Sequence, residues 1–228
     1  MSYNEYEVSK DKGLPASLFL IEYGDTDDAF FAYTDADETI TYDAKSFVPI
    51  AIGRDQMEAS GNLDKTALTI QLTPKASIVQ LYKGQIPSHP IRLTIFQGHV
   101  EDGNFQVVWT GRIISIGRKP PWAELTCEPI STAMRKPGLR RHYQYGCPWV
   151  LYGPECRALK SVAKVEVVPT DSGDNYVEFG SGWEGAFARN KFLNGYLQWA
   201  DSQTGILQTR TIIAFGSTND QLVINGSI

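Results

Sequence analysis

Cys147 and Cys156 stand in a stretch, Gly138 to Leu159, that concentrates reactive side chains as no other part of the chain does. Around the two thiols lie Arg140, Arg141 and His142, the aromatics Tyr143, Tyr145, Trp149 and Tyr152, and two Gly/Pro breaks. Gly146 and Pro148 flank the first thiol, and Gly153-Pro154 turns the chain back before the second, which lets both sulfurs face one centre. Three chemistries compete for such a loop. Structural zinc favours two to four residues between ligands, so a gap of eight suits it poorly. Iron-sulfur cages accept varied spacings but need four thiolates, and only three cysteines are present, Cys127 being the third. A cysteine nucleophile with His142 as base needs an adjacent imidazole and a site for the attacked carbonyl; no oxyanion-hole motif accompanies Cys147. Taken alone, the residues favour two buried thiols packing an Arg/Tyr-rich loop, with hydrolysis ranked below it.

The remaining polar clusters are weaker. Asp25, Asp27, Asp28 and Asp35 lack the Asp-x-Asp-x-Asp-Gly spacing and distal Glu of a calcium loop and read as solvated turns. His89 and His99, beside Pro90 and Gly98, are expected to be exposed in turns. Gly180-Ser-Gly182 is too short to cradle a phosphate. Trp183, Phe187, Tyr196 and Trp199 could floor a sugar site, but in a small β unit such residues more often form the core.

These residues need a scaffold, and 228 of them can bury a sizeable core without covalent help. With 42% apolar and 21% charged residues and many turn formers, the composition is that of a soluble globular chain leaning toward β. A net charge of -5 argues against general or sequence-specific nucleic-acid affinity, which rests on clustered Lys and Arg. No apolar run of ~18 residues marks a membrane span, and the N-terminus Met-Ser-Tyr-Asn-Glu-Tyr lacks a secretory pattern. Synthesis in a reducing cytoplasm follows, where three cysteines are hydrophobes or metal ligands rather than a disulfide framework.

In chain order, strands are expected at Ala16 to Tyr23, Phe30 to Tyr33, Glu38 to Tyr42 and Ser46 to Ile50, a meander divided by Asp-rich turns. Leu63 to Leu72 alternates in its second half, Lys75 to Tyr82 has helical spacing, and Ile91 to Phe96, Phe105 to Ile116 and Trp122 to Cys127 follow as strands. Ile130 to Met134 is a helical turn. The expected fold is mainly β: an antiparallel barrel or sandwich over 1–135, a Cys-containing connecting loop over 136–162, and a smaller β-rich domain over 163–228 with few helices. Strands are expected in the last unit at Lys164 to Pro169, Tyr176 to Phe179, Ile206 to Phe215 and Gln221 to Ile224. The chain stops directly after a strand, so either its terminus pairs into the sheet or the domain is incomplete at its C-terminus.

The order of these features resembles the trimeric tail-tip hub proteins of long-tailed phages and gene transfer agents, similar in role to the lambda tail-tip protein L. The resemblance rests on Tyr-Thr-Asp-x-Asp from Tyr33, Phe-Val-Pro-Ile-x-Ile-x-Arg ending at Arg54, Val-Val-Trp-Thr-Gly-Arg-Ile from Val107, and Trp-Glu-Gly-x-Phe and Phe-x-x-Gly-Tyr-Leu-x-Trp between Trp183 and Trp199. Its most specific part is Leu139-Arg-Arg-x-Tyr-Gln-x-x-Cys147 with Leu151-Tyr-x-x-x-Cys156. It implies a non-enzymatic virion protein at the tail tip, a homotrimeric ring that joins the distal tail protein to central fibre or receptor-binding proteins and encloses a lumen through which DNA passes. It further implies that Cys147 and Cys156 are two of four ligands of a [4Fe-4S] cluster, the other two lying in a C-terminal extension. A carbohydrate-binding module and a cysteine hydrolase of the tail tip are the alternatives.

Overall fold

The run Ala-Ser-Leu-Phe-Leu-Ile-Glu-Tyr forms β1 (Pro15–Tyr23), a strand buried along nearly its whole length on both faces. The computed structural model describes residues 13–24, 29–57, 67–82, 87–135, 145–202, 205–218 and 220–226, together with Val8. Successive side chains of a strand point to opposite faces, so β1 serves two cores. Phe19, Ile21 and Tyr23 enter one, and Ala16, Leu18 and Leu20 enter the other.

β1 pairs antiparallel with β2 (Phe30–Thr34) on one side and with β7 (Ile91–His99) on the other. The sheet continues through β8 (Phe105–Lys119), β9 (Trp122–Pro129), β6 (Leu68–Leu72) and β5 (Ile52–Arg54). In the first core, Leu68, Ile70 and Leu72 of β6 and Ala123, Leu125 and Cys127 of β9 meet β1 and β7, and the helix α1 (Ser77–Leu81) inserts Ile78 and Val79. The second core is closed by the hairpin β3 (Ile40–Tyr42) and β4 (Lys45–Pro49), which brings Ile40 and Phe47 onto Leu18, Leu20 and Phe105. Each such side chain contributes about 1.5–3 kcal/mol when fully buried. The Tyr42 hydroxyl donates to the Phe105 carbonyl at 2.9 Å, and its ring meets Phe96 and Phe105 edge-on.

The Tyr-Thr-Asp-x-Asp motif is a clamp on this arrangement. Fully buried Thr34 donates its hydroxyl to the Ser17 carbonyl at 3.1 Å, and Asp35 accepts the Ser17 amide at 2.7 Å. Thr34 also accepts Ile50 N–H on its own carbonyl, which holds the parallel pair of β2 and β4. That pair makes the nine-stranded sheet mixed rather than purely antiparallel. Within Val-Val-Trp-Thr-Gly-Arg-Ile, a Cβ on Gly111 would lie 2.1 Å from the Glu128 carbonyl and 2.4 Å from the Trp109 ring, so only glycine admits the indole there.

Two compact units result. The first is Met1–Arg135 with Ala200–Gln208, and the second is Lys136–Trp199 with Thr209–Ile228. Gln208, almost fully buried, belongs to the first: its Nε2 donates to the Tyr23 hydroxyl and its Oε1 accepts the Ser88 amide at 3.1 Å. The second unit is a sheet of five strands in the order β10 (Pro169–Ser172), β11 (Tyr176–Phe179), β14 (Gln221–Ile224), β13 (Leu207–Phe215), β12 (Tyr196–Ala200). The protein is mainly β, as the composition and alternation indicate.

Several details differ from expectation. Residues 164–168 join no sheet, and the strand begins only at Pro169, because β11 ends at Phe179 and leaves the earlier residues nothing to pair with. β5 and β12 carry too short or too aromatic a pattern to announce themselves. His99 is buried, since β7 runs on past Phe96. Asp25, Asp27 and Asp28 lie outside the described residues, as do residues 63–66.

Two predictions follow from the packing. The turn joining β3 to β4 has Asp43 at φ 50° and Ala44 at φ 58°, a conformation costing a β-carbon residue about 1–2 kcal/mol; Ala44→Gly is expected to raise Tm by about 2–4 °C, and a lower Tm would contradict this reading. Burial pushes the Cys127 thiol from 9.0 up to about 12, and burial, then the neighbouring Tyr23 and Cys127, push Tyr82 from 10.0 to about 12. Both groups are neutral in the folded protein, so their contribution is complete below pH 9 and is lost as pH climbs toward 12. The urea midpoint should therefore fall between pH 8 and pH 10.5, and fall less in Cys127→Ala; an equal fall in both proteins would refute the assignment.

Candidate functional site

The cysteine stretch is described from Tyr145 onward; Arg140, Arg141, His142 and Tyr143 lie outside the described residues. Gly153 is the pivot. Its amide donates to the Val150 carbonyl at 3.0 Å, and its carbonyl accepts the Cys156 amide at 3.1 Å and the Arg157 amide at 3.4 Å. Tyr152 and Arg157 on either side adopt φ 59° and 55°, the left-handed region that β-carbon residues seldom occupy. The Gly-Pro break thus winds a tight double turn that brings Cys156 half under cover, while Cys147 stays exposed. Both thiols are free, as is buried Cys127 on β9. The expectation of two buried thiols fails for Cys147, because Gly146 and Pro148 hold it on a segment with no regular pairing.

Two side chains fasten the loop to the second unit's sheet. Tyr152 meets Tyr196 edge-on at 5.9 Å, and Lys160, in the 3-10 turn Lys160–Val162, lies 5.3 Å over the same ring and donates to Gln198. The loop's other apolar residues face outward: Tyr145, Val150, Leu151, Leu159 and Val162 are all more than half exposed. These side chains are not part of a packed core.

Beneath the loop the aromatic segment folds inward. Trp183 is 7% exposed and packs between Phe179 at 5.3 Å and Phe192 at 4.9 Å, with Phe187 edge-on to Phe192. Trp199 is covered by the Arg210 guanidinium at 5.9 Å. Trp183 therefore belongs to the core, and Tyr196 and Trp199 are each partly covered by a cationic side chain. A cavity of about 890 Å³ opens between residues 163–167 and residues 191–198, floored by this cluster.

As a metal centre, the stretch supplies two thiolates. No group of three or more His, Cys, Asp or Glu side chains able to hold a metal occurs among the described residues. A four-thiolate cluster therefore does not fit the described donors by themselves, of which this stretch holds two cysteines.

These features define a mainly-β protein of two sheets with an exposed, glycine-pivoted cysteine loop. No protein-family model and no curated protein matches the sequence. Among solved structures, the fold is similar to a chain in the "Virion of native gene transfer agent (GTA) particle", with TM-score 0.73 and 16% identity over 98% of this chain and 77% of that one.

Thiol reactivity tests the burial order. Under native conditions an aromatic disulfide reagent should titrate Cys147 quickly, Cys156 more slowly, and Cys127 only on unfolding. Native-state reaction of Cys127 at the rate of Cys147 would contradict the placement.

Proposed function

We propose that this chain is a structural component of a tailed virion, and more specifically a tail-tip hub protein that assembles as a homotrimeric ring between the distal tail protein and the central fibre or receptor-binding proteins. The observation that carries the reading is the similarity of fold along essentially the whole chain to a gene transfer agent virion chain. The sequence patterns quoted above point the same way, and the outward apolar residues of the cysteine loop give the chain a surface suited to burial against a neighbour. Its work is assembly, not turnover. The net charge of -5 suits a lumen that conducts DNA without holding it.

Within this reading Cys147 and Cys156 are two ligands of a [4Fe-4S] cluster whose other two thiolates are supplied by a polypeptide segment other than these 228 residues, in which buried Cys127 is the only further cysteine. Metal-thiolate bonds of that kind would supply folding free energy to a loop that has few packed side chains of its own.

Anaerobic purification with mass measurement, iron and sulfide analysis separates the two parts. A closed trimer with about four irons per chain is expected, and Cys147→Ala should abolish iron binding while leaving β1 and its cores intact. A trimer free of iron would remove the cluster and keep the hub; a persistent monomer at all concentrations would remove the ring.

A further inference from the structure

The five-stranded sheet of the second unit ends in two open edges, β10 and β12. The cavity of about 890 Å³ lies between the segment that runs into β10 and the first residues of β12. Residues 164–168 have the pattern of a strand, Lys-Val-Glu-Val-Val. Lys164 Nζ reaches Glu166 Oε1 at 2.5 Å, the contact between alternate residues that an extended chain permits.

Yet among the described residues this segment has no backbone partner. Turn hydrogen bonds tie down the residues before it, from Leu159 to Ala163, and the ladder begins after it with Pro169 opposite Phe179. Beyond Phe179 the opposite chain leaves the sheet, with Gly185 N–H bonded back to the Gly182 carbonyl. Residues 164–168 are thus rich in valine, largely solvent-exposed and outside the ladder, a run with the composition of a strand but no neighbour among the described residues.

The space beside it suits a polypeptide. Its floor is apolar, made by Phe179, Trp183, Phe192, Leu197 and Leu222, and its rim carries Lys160, Lys164 and Lys191 against one carboxylate, Glu166. The buried indole N–H of Trp183 has no acceptor. β12 ends the strand order on that side and its residues Tyr196 to Gln198 line the cavity, so main-chain groups of an edge strand border the gap on one side and the unpaired run borders it on the other.

We infer that the slot between residues 164–168 and β12 receives an extended segment of a partner polypeptide as a sixth strand. The segment places apolar side chains on the aromatic floor at alternate positions and carboxylates at the lysine rim. This is strand addition, in which the main chain gives affinity and alternate side chains give specificity. The inference stands on the cavity and the unpaired run, and holds whether or not the chain is a virion component.

The probe is a capped six-residue peptide alternating Val and Glu, added to the full chain and followed by amide hydrogen exchange. Saturating peptide should slow exchange at least about tenfold at 164–168 and at 196–200, and Lys191→Glu should weaken binding. Because alternate amides of a strand point to opposite sides, only one of the adjacent variants Val165→Pro and Glu166→Pro should lose the effect. Equal loss in both, or peptide binding without protection at either edge, would overturn strand addition. Protection that rises with protein concentration in the absence of peptide would assign the slot to a second copy and overturn the foreign partner.

Discussion

Everything in the first unit depends on β1 being buried on both faces. A strand with one wet face can slip its register at moderate cost, but here a shift of one residue would exchange Phe19, Ile21 and Tyr23 for Leu18, Leu20 and Glu22 and put a carboxylate in a dry core. That fixes β2 and β7 on either side, and through them β8 and the rest of the nine-stranded sheet. The β3–β4 hairpin is needed because the second face of β1 must be covered. The polar bonds at Thr34, Asp35 and Tyr42 lock that cover in place.

The second unit is built on a different economy. Its core is small, and Trp183 with its neighbours fills it more by aromatic area than by number of residues. A sheet of five strands around such a core leaves two edges and a cavity, and it leaves an exposed loop whose apolar residues have nothing to cover them within the unit. Unsatisfied edges and uncovered apolar groups are costs that association removes. The loop and the open edges are therefore both surfaces that association would cover.

Much of the first unit was legible because alternation and turn chemistry agree there. β1, β6, β8 and β9 carry strong patterns, and Asp43-Ala44 marks the hairpin even though alanine is a poor left-handed residue. The second unit was harder. The alternating Val165 and Val167 pointed to a strand where no partner strand occurs among the described residues, and β12 was hidden in an aromatic run that reads equally as core or loop. The two thiols read from sequence as buried; Cys147 proved exposed, because a loop's burial depends on neighbours that no local pattern reveals. The pivot at Gly153 was visible as a Gly-Pro break, whereas the anchoring of the loop by Tyr152 and Lys160 on Tyr196 depends on contacts between distant residues.

The central claim is that this protein is a built-in part of a particle. Immunogold labelling of purified tailed particles with an antibody against the chain tests it most directly. The account predicts label confined to the tail end distal to the head, with the protein in fixed stoichiometry in the particle; particles that lack the chain altogether would contradict it.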